Sequence, residues 1–424
     1  MSQPVRILLA LAIGLFLGIL TAEQPWTENA IAVADPIGGL WLDALRMTIV
    51  PLVVSLLITG IAASAEAARA NRLTARAIML FLAVLWTGAI MSALLTPLLL
   101  QAWPLPSEAA GALRAALAGT TGEVGEVPTF GQFLRSLVPT NPVSAAAEDR
   151  ILPLLVFTLV FAFAITRLPA EQRAQLVGFF RAVADAMLIV INWVLFLAPI
   201  GVLALAYVVG ARAGASALGA LGHYVIIVAL VGCVVWFMAW PLAAIGGRVG
   251  FLRYTKAIGP PHAVAISTQS SLASLPAMLK ASERLGVPVT ASGVVLPLAV
   301  ALFRATGPAM NLAVAIYVAH LMGVPLSPWA LAAGIAVAAT TTLGSVSLPG
   351  TVSFIASIAP ICYAMNVPVE PLLLLIAVET LPDIVRTTGN VSMDVATTAT
   401  VARRTGFDEN TLHDEADRLL EQGA

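Results

Sequence analysis

Five polar side chains recur near the end of an otherwise apolar segment: Glu379, Asp383, Arg386, Asn390 and Asp394. At about 100° per residue they fall within an arc of about 80°, one face of a helix. Each ionisable group held at bilayer mid-depth costs roughly 2.5 to 3.5 kcal/mol on insertion scales, so such a face must line something polar. The residue types suggest the chemistry. A planar guanidinium such as that of Arg386 grips a carboxylate through two parallel hydrogen bonds, and an ionised aspartate such as Asp383 accepts from an ammonium. The bland alternative is that Asp383 and Arg386, at i and i+3, merely neutralise each other.

The elements that must position these groups are membrane helices. The chain is 59% hydrophobic and 11% charged with a mean hydropathy of +0.94, against a charged fraction of about 25% in soluble domains. Apolar runs lie at 6–22, 38–62, 77–101, 151–166, 174–209 and 216–246 and again from 263 into the 390s. Most are long enough to cross about 30 Å of hydrocarbon. They lack the alternation of barrel strands. The first run has no small-residue cleavage pattern, so it reads as a retained span. Arg69, Arg72 and Arg76, then Arg167 and Arg173, then Arg248, Arg253 and Lys256, and finally Arg403 and Arg404 follow alternate spans. By the positive-inside rule both termini are cytoplasmic, as suits a bacterial-type inner membrane. A net charge of -1 implies no nucleic-acid surface. Cys233 and Cys362 read as packing residues, and His223, His262 and His320 show no metal-ligand spacing.

The last third is interrupted in a distinctive way. Between 263 and 280 a hydroxyl-rich centre containing Ser270 and Ser271 separates two apolar arms, each too short to span. A similar pattern recurs at 329–361 around Thr340, Ser345, Leu348, Pro349 and Gly350. Both centres contain Ser-Leu-Pro, at 274–276 and 347–349, and each is followed by a full span. Re-entrant hairpins in an inverted repeat produce this pattern, and secondary transporters with such repeats hold their cargo at the repeat interface.

The run Asp383-Ile-Val-Arg386-Thr387-Thr-Gly-Asn390-Val-Ser-Met-Asp394 resembles the eighth helix of the glutamate transporter homologues, the dicarboxylate/amino acid:cation symporters. The serine hairpin, the Gly/Pro hairpin and Leu-Val-Pro-Thr-Asn-Pro at 137–142 fit the same layout. The resemblance implies an all-α polytopic fold of eight spans plus two re-entrant helical hairpins, an elevator mechanism, a homotrimer and contact with membrane lipid. It also implies a division of the chain. Residues 1–76 and 151–210 would form the scaffold, 77–104 and 211–404 the moving transport domain, 105–150 an external loop and 405–424 an acidic cytoplasmic tail.

Carried over by position, the resemblance implies that Arg386 would bind the substrate's side-chain carboxylate and Asp383 its α-ammonium, with Thr387 and Asn390 completing the cup. The backbone around Ser270 and Ser271 and around Leu348, Pro349 and Gly350 matches the family's positions that hold the α-carboxylate and close the gate. Asp394, with Asn390, matches the cation site and is the candidate sodium ligand. No cofactor is implied beyond a coupling sodium ion or proton.

The chain departs from the family in span 7. Phe303-Arg304-Ala305-Thr306-Gly307 stands where the family has Asn-Met-Asp-Gly-Thr, so an amide and a carboxylate are gone. Arg304 adds a positive charge there, which puts sodium coupling in question. Arg304 is expected to act as a tethered cation paired with Asp394 or Glu379, with Glu379 a candidate proton carrier. Its bland alternative is a side chain snorkelling to an interface.

Three function classes remain open on sequence. The first is a symporter of acidic amino acids such as glutamate or aspartate, with a proton-coupled dicarboxylate transporter as its variant. The second is a non-transporting substrate receptor. The third, a membrane enzyme, is disfavoured because no Gly-x-Ser-x-Gly, His-Glu-x-x-His or phosphate-cradling loop occurs.

Overall fold

The computed structural model describes residues 3–70, 72–105, 110–111, 135, 138–148, 150–214, 216–344 and 350–405. Leu348, Pro349, most of the expected external loop and the acidic tail lie outside this set. The described residues form helices and no strand.

The chain opens with α1 (Gln3–Thr21), α2 (Thr27–Arg46), α3 (Ile49–Ala70) and α4 (Arg72–Ala102). The second span therefore begins well before the apolar run that suggested it, in two helices joined at Met47. A short α5 (Pro142–Ala147) is capped by Asn141, whose side chain accepts from Val143 N at 2.9 Å. It leads into α6 (Ile151–Ile165), α7 (Ala170–Phe196) and α8 (Ala198–Ala213). The apolar run 174–209 is thus two helices, because Pro199 cannot donate to the preceding turn. Glycines let α1 and α8 touch: a Cβ on Gly14, Gly18 or Gly210 would strike the facing backbone. The Trp41 indole donates to Val194 O at 3.0 Å, tying α2 to α7.

Then α9 (Ser216–Phe237) continues through a short π-helical stretch to Gly246. Next come two side-by-side helix pairs, each followed by a broken or kinked helix. In the first, α10 (Phe251–Thr268) turns at Gln269, in the left-handed region (φ 50°), into α11 (Ser271–Arg284). After it come α12 (Val289–Leu302) and α13 (Gly307–Met322). The second pair is α14 (Pro328–Thr341) and α15 (Gly350–Ala364), followed by the short α16 (Pro371–Leu375) and by α17 (Thr380–Thr405).

Helices α4, α9, α10, α11 and α12 pack around α17, with α13 packed on α4 and α9, while α1, α2, α3, α6, α7 and α8 pack mainly among themselves. Among the described residues, five helical stretches are long and apolar enough to cross a membrane: Thr27–Glu66, Arg72–Ala102, Ala170–Phe196, Leu218–Gly246 and Val289–Met322. Helix α17 is not among them. Its polar residues lower its hydropathy, and protein covers it on every face from Arg386 to Ala402. It is shielded by other helices rather than by lipid, which is how it tolerates its charges.

Candidate functional site

Arg386 is the hub of the site. It lies one and a half turns into α17, and its guanidinium is surrounded by acceptors. NH2 donates to Glu379 Oε1 at 2.6 Å, NH1 to Asn311 Oδ1 at 2.6 Å, and Nε lies 3.3 Å from Asp383 Oδ1. The Tyr224 hydroxyl donates to the other oxygen of Glu379 at 3.1 Å. Glu379, Asp383 and Arg386 are all buried. Four elements meet here: α17, the turn before it, α9 through Tyr224 and α13 through Asn311. Two carboxylates and an amide oxygen thus share one buried guanidinium in a hydrogen-bonded cluster.

The sequence reading placed all five polar residues on one helix. Instead α17 begins at Thr380, so Glu379 sits in the turn ahead of it. There its carboxylate accepts from both Arg386 and Tyr224. Asn311 and Tyr224 escaped the sequence reading. Asn311 could have been found as an amide within an apolar span, where polar groups are costly. Nothing in the sequence singles out Tyr224.

Asn390 binds the break between α12 and α13. Its Oδ1 accepts from Thr306 N at 2.9 Å and lies 2.8 Å from the Thr306 hydroxyl, which is also 3.0 Å from the Arg386 carbonyl. The carbonyl end of Asn390 is thereby committed to the broken backbone, leaving the amide nitrogen as its free donor group. Gly389 permits this approach, since a Cβ there would meet the Thr306 methyl at 2.6 Å. Thr387 is buried beside Arg386.

Next to the break, the two positions where cation ligands were expected are closed. Phe303 stacks on Phe81 of α4 with ring centroids 4.5 Å apart and planes 9° from parallel. Ala305 is fully buried and offers no side-chain oxygen. Arg304 lies between them, within electrostatic reach of Asp383, Arg386 and Asp394. Asp394 itself is fully buried, and neither of its carboxylate oxygens has a hydrogen-bond partner. The hydroxyl of Thr397, one turn on, is also unpartnered. By contrast Thr388, Ser392, Thr398 and Thr400 all donate back to the carbonyl four residues earlier. These three oxygens are hard donors suited to a cation or a proton, though too few to surround a sodium ion alone.

Of the hairpin residues, Ser270 caps α11 by accepting from Ala273 N at 3.2 Å, and Ser271 is the first residue of that helix. Gln269 holds the turn against the start of α17, its amide donating to Thr380 O at 3.1 Å. Gly350 opens α15. A cavity of about 430 Å³ separates the two helix groups, lined by Leu56 and Thr59 of α3, Arg181 and Asp185 of α7, and Leu272 and Pro297 of α11 and α12, among others.

A helical protein with several apolar spans and a protein-shielded cluster of paired charges has the parts of a membrane transporter. The chain matches the model of the sodium:dicarboxylate symporter family over residues 4–404 and belongs to that family. It is 28% identical over 394 residues, covering 91% of this chain and 89% of the relative, to the proton/glutamate-aspartate symporter of Escherichia coli K12. The C4-dicarboxylate transport protein 1 of Pseudomonas aeruginosa PAO1 is 27% identical over 94% of this chain and 88% of its own length. The rabbit neutral amino acid transporter B(0) is 30% identical over 86% of this chain and 72% of its own. The family consists of transmembrane symporters, not enzymes.

Proposed function

We propose that the protein is a secondary active symporter of acidic amino acids, glutamate or aspartate, in a bacterial-type inner membrane. The observation that carries this reading is the buried Arg386, which is held by Glu379, Asn311 and Asp383 with no partner that is not part of the site. A substrate carboxylate would displace part of this set on the guanidinium, and Asp383 would turn to the α-ammonium. Thr387, the amide of Asn390, and the backbone at Ser270, Ser271 and Leu348 to Gly350 complete the cup.

The transported unit would comprise α4 and α9 to α17 and slide as an elevator past α1 to α3 and α6 to α8. In this scheme there are eight spans, two re-entrant hairpins, cytoplasmic termini and a homotrimer. The cavity of about 430 Å³ between the two groups is compatible with such sliding. Coupling would not follow the family's sodium scheme. With Phe303 and Ala305 at the motif, Arg304 would supply the charge of one bound cation, and Asp394 or Glu379 would take a proton.

A second reading, proton-coupled dicarboxylate transport, is favoured by the 3.3 Å contact between Asp383 and Arg386, which leaves Asp383 less available to an ammonium. Uptake of labelled aspartate, glutamate and succinate into proteoliposomes separates the readings. Aspartate or glutamate accumulating on a proton gradient without sodium is the expected result. Succinate alone would establish the second reading. Sodium-driven uptake would overturn the proposed coupling, and binding without flux would make the protein a receptor.

A further inference from the structure

At one end of the molecule the first turns of α4 meet the last turn of α17, where Arg76 NH1 donates to the Arg404 carbonyl at 2.6 Å. Beside this bond lies a groove of about 580 Å³ lined by Arg76, Met79, Leu80, Thr400, Val401 and Arg404. Its rim is two exposed guanidinium groups and its wall is apolar. Neither arginine forms an ion pair with a described acidic residue.

Helix α4 is 31 residues long, about 46 Å at 1.5 Å per residue, against about 30 Å of hydrocarbon. Its only charged residues, Arg72 and Arg76, lie in the first turns, which assigns that end to the headgroup layer. From the groove an apolar stripe runs along the same helix: Met79, Trp86, Ile90 and Leu94, exposed by 62%, 39%, 46% and 65%, share an arc of about 80°. Basic groups at headgroup depth thus continue directly into an exposed hydrocarbon track.

We infer that this groove binds one anionic phospholipid, its phosphate between Arg76 and Arg404 and one acyl chain along the Met79–Leu94 stripe of α4. Charge complementarity selects an anionic headgroup over a zwitterionic one, because each basic group near a membrane surface is worth about 1 kcal/mol toward acidic lipid, about five-fold in affinity. Continuity with the apolar track selects a lipid over a soluble anion. A bound lipid would clamp α4 to α17, the helix that carries the candidate site. An alternative anionic occupant is residues 406–424, which follow α17 in sequence and include Asp408, Glu409, Asp414, Glu415 and Asp417.

The test is native mass spectrometry of the delipidated full-length protein titrated with phosphatidylglycerol or phosphatidylcholine. The expected result is one tightly held phosphatidylglycerol with no matching phosphatidylcholine. Arg404→Gln, which keeps the backbone carbonyl that Arg76 uses, should weaken it about five-fold, and Arg76→Gln with Arg404→Gln about 25-fold. Equal binding of both lipids, or full binding by Arg404→Gln, would overturn the inference. So would binding that emerges only after residues 406–424 are removed, because the tail would then be the occupant. Unchanged phosphatidylcholine adducts and melting temperature show that the variants are folded.

Discussion

Arg386 and Asp394 stand two turns apart on the same buried helix, and the protein treats them in opposite ways. Each nitrogen of Arg386 faces a carboxylate or an amide oxygen. Neither oxygen of Asp394 has a hydrogen-bond donor. Burial is alike, so the difference comes from what neighbouring helices present. Helices α9 and α13 bring Tyr224 and Asn311 to the first group, while the break after α12 brings Arg304 within electrostatic reach of the second. A satisfied cluster gives up an existing bond when a ligand arrives. An unpartnered carboxylate is costly until a cation or proton joins it. On the proposed function, the substrate half of the site would be suited to exchange and the coupling half to filling.

Removing the hub should break the comparison most severely. Arg386→Ala leaves Glu379 and Asp383 buried side by side without their cation, a change that costs about 3 to 5 kcal/mol when one partner of a buried pair is lost. Uptake should fall by on the order of 100-fold, and the melting temperature in detergent should drop. Arg386→Lys should recover only part of either, because an ammonium cannot fork between two carboxylates. Normal transport with lysine would mean that the fork is not used for substrate.

Asp394→Asn should act far more weakly on stability. It removes a buried carboxylate that has no hydrogen-bond donor and only the electrostatic company of Arg304, so the melting temperature should change much less than for Arg386→Ala even as dependence on the coupling ion is lost. A melting temperature as low as that of Arg386→Ala would show Asp394 to be paired after all and erase the distinction. Arg304→Met sharpens the same half. Taking the tethered charge from Asp394 should raise the response to external sodium, on the order of tenfold for a partly buried charge neighbour, read as the sodium dependence of uptake. An unchanged response would make Arg304 a structural residue only.

The sequence exposed this contrast unevenly. Charged residues in an apolar chain are conspicuous whatever surrounds them, so Asp383, Arg386 and Asp394 could be named from spacing alone. Helical periodicity carried them onto one face, though it extended the helix one residue too far and took in Glu379. Partners contributed by other helices were harder to see, since pairing Tyr224 with Glu379 depends on how α9 packs against α17. Thr306 is similar: its role as the clasp of Asn390 needs both the break in the backbone and the absent Cβ of Gly389. The loss of side-chain oxygens at Phe303 and Ala305 was legible, but the stacking of Phe303 on Phe81 was not, because α4 lies more than two hundred residues away in the chain.

Tyr224→Phe makes the smallest change that still tests the exchange idea. It removes one hydrogen bond to Glu379 Oε2 and leaves the Arg386 bond to Oε1 in place. Deleting such a hydroxyl costs about 1 kcal/mol, an affinity change of about five-fold. If Tyr224 only stabilises the fold, the melting temperature should fall and substrate affinity should stay the same. If it holds Glu379 ready to leave Arg386 when a substrate carboxylate arrives, apparent affinity should fall about five-fold with the melting temperature nearly unchanged. Glu379→Gln in the same background separates the two accounts further. The glutamine still accepts from Arg386 but carries no charge to be displaced, so the effect of Tyr224→Phe on affinity should disappear in its presence. An undiminished effect in the double variant would show that Tyr224 acts on the substrate by a route that does not pass through Glu379.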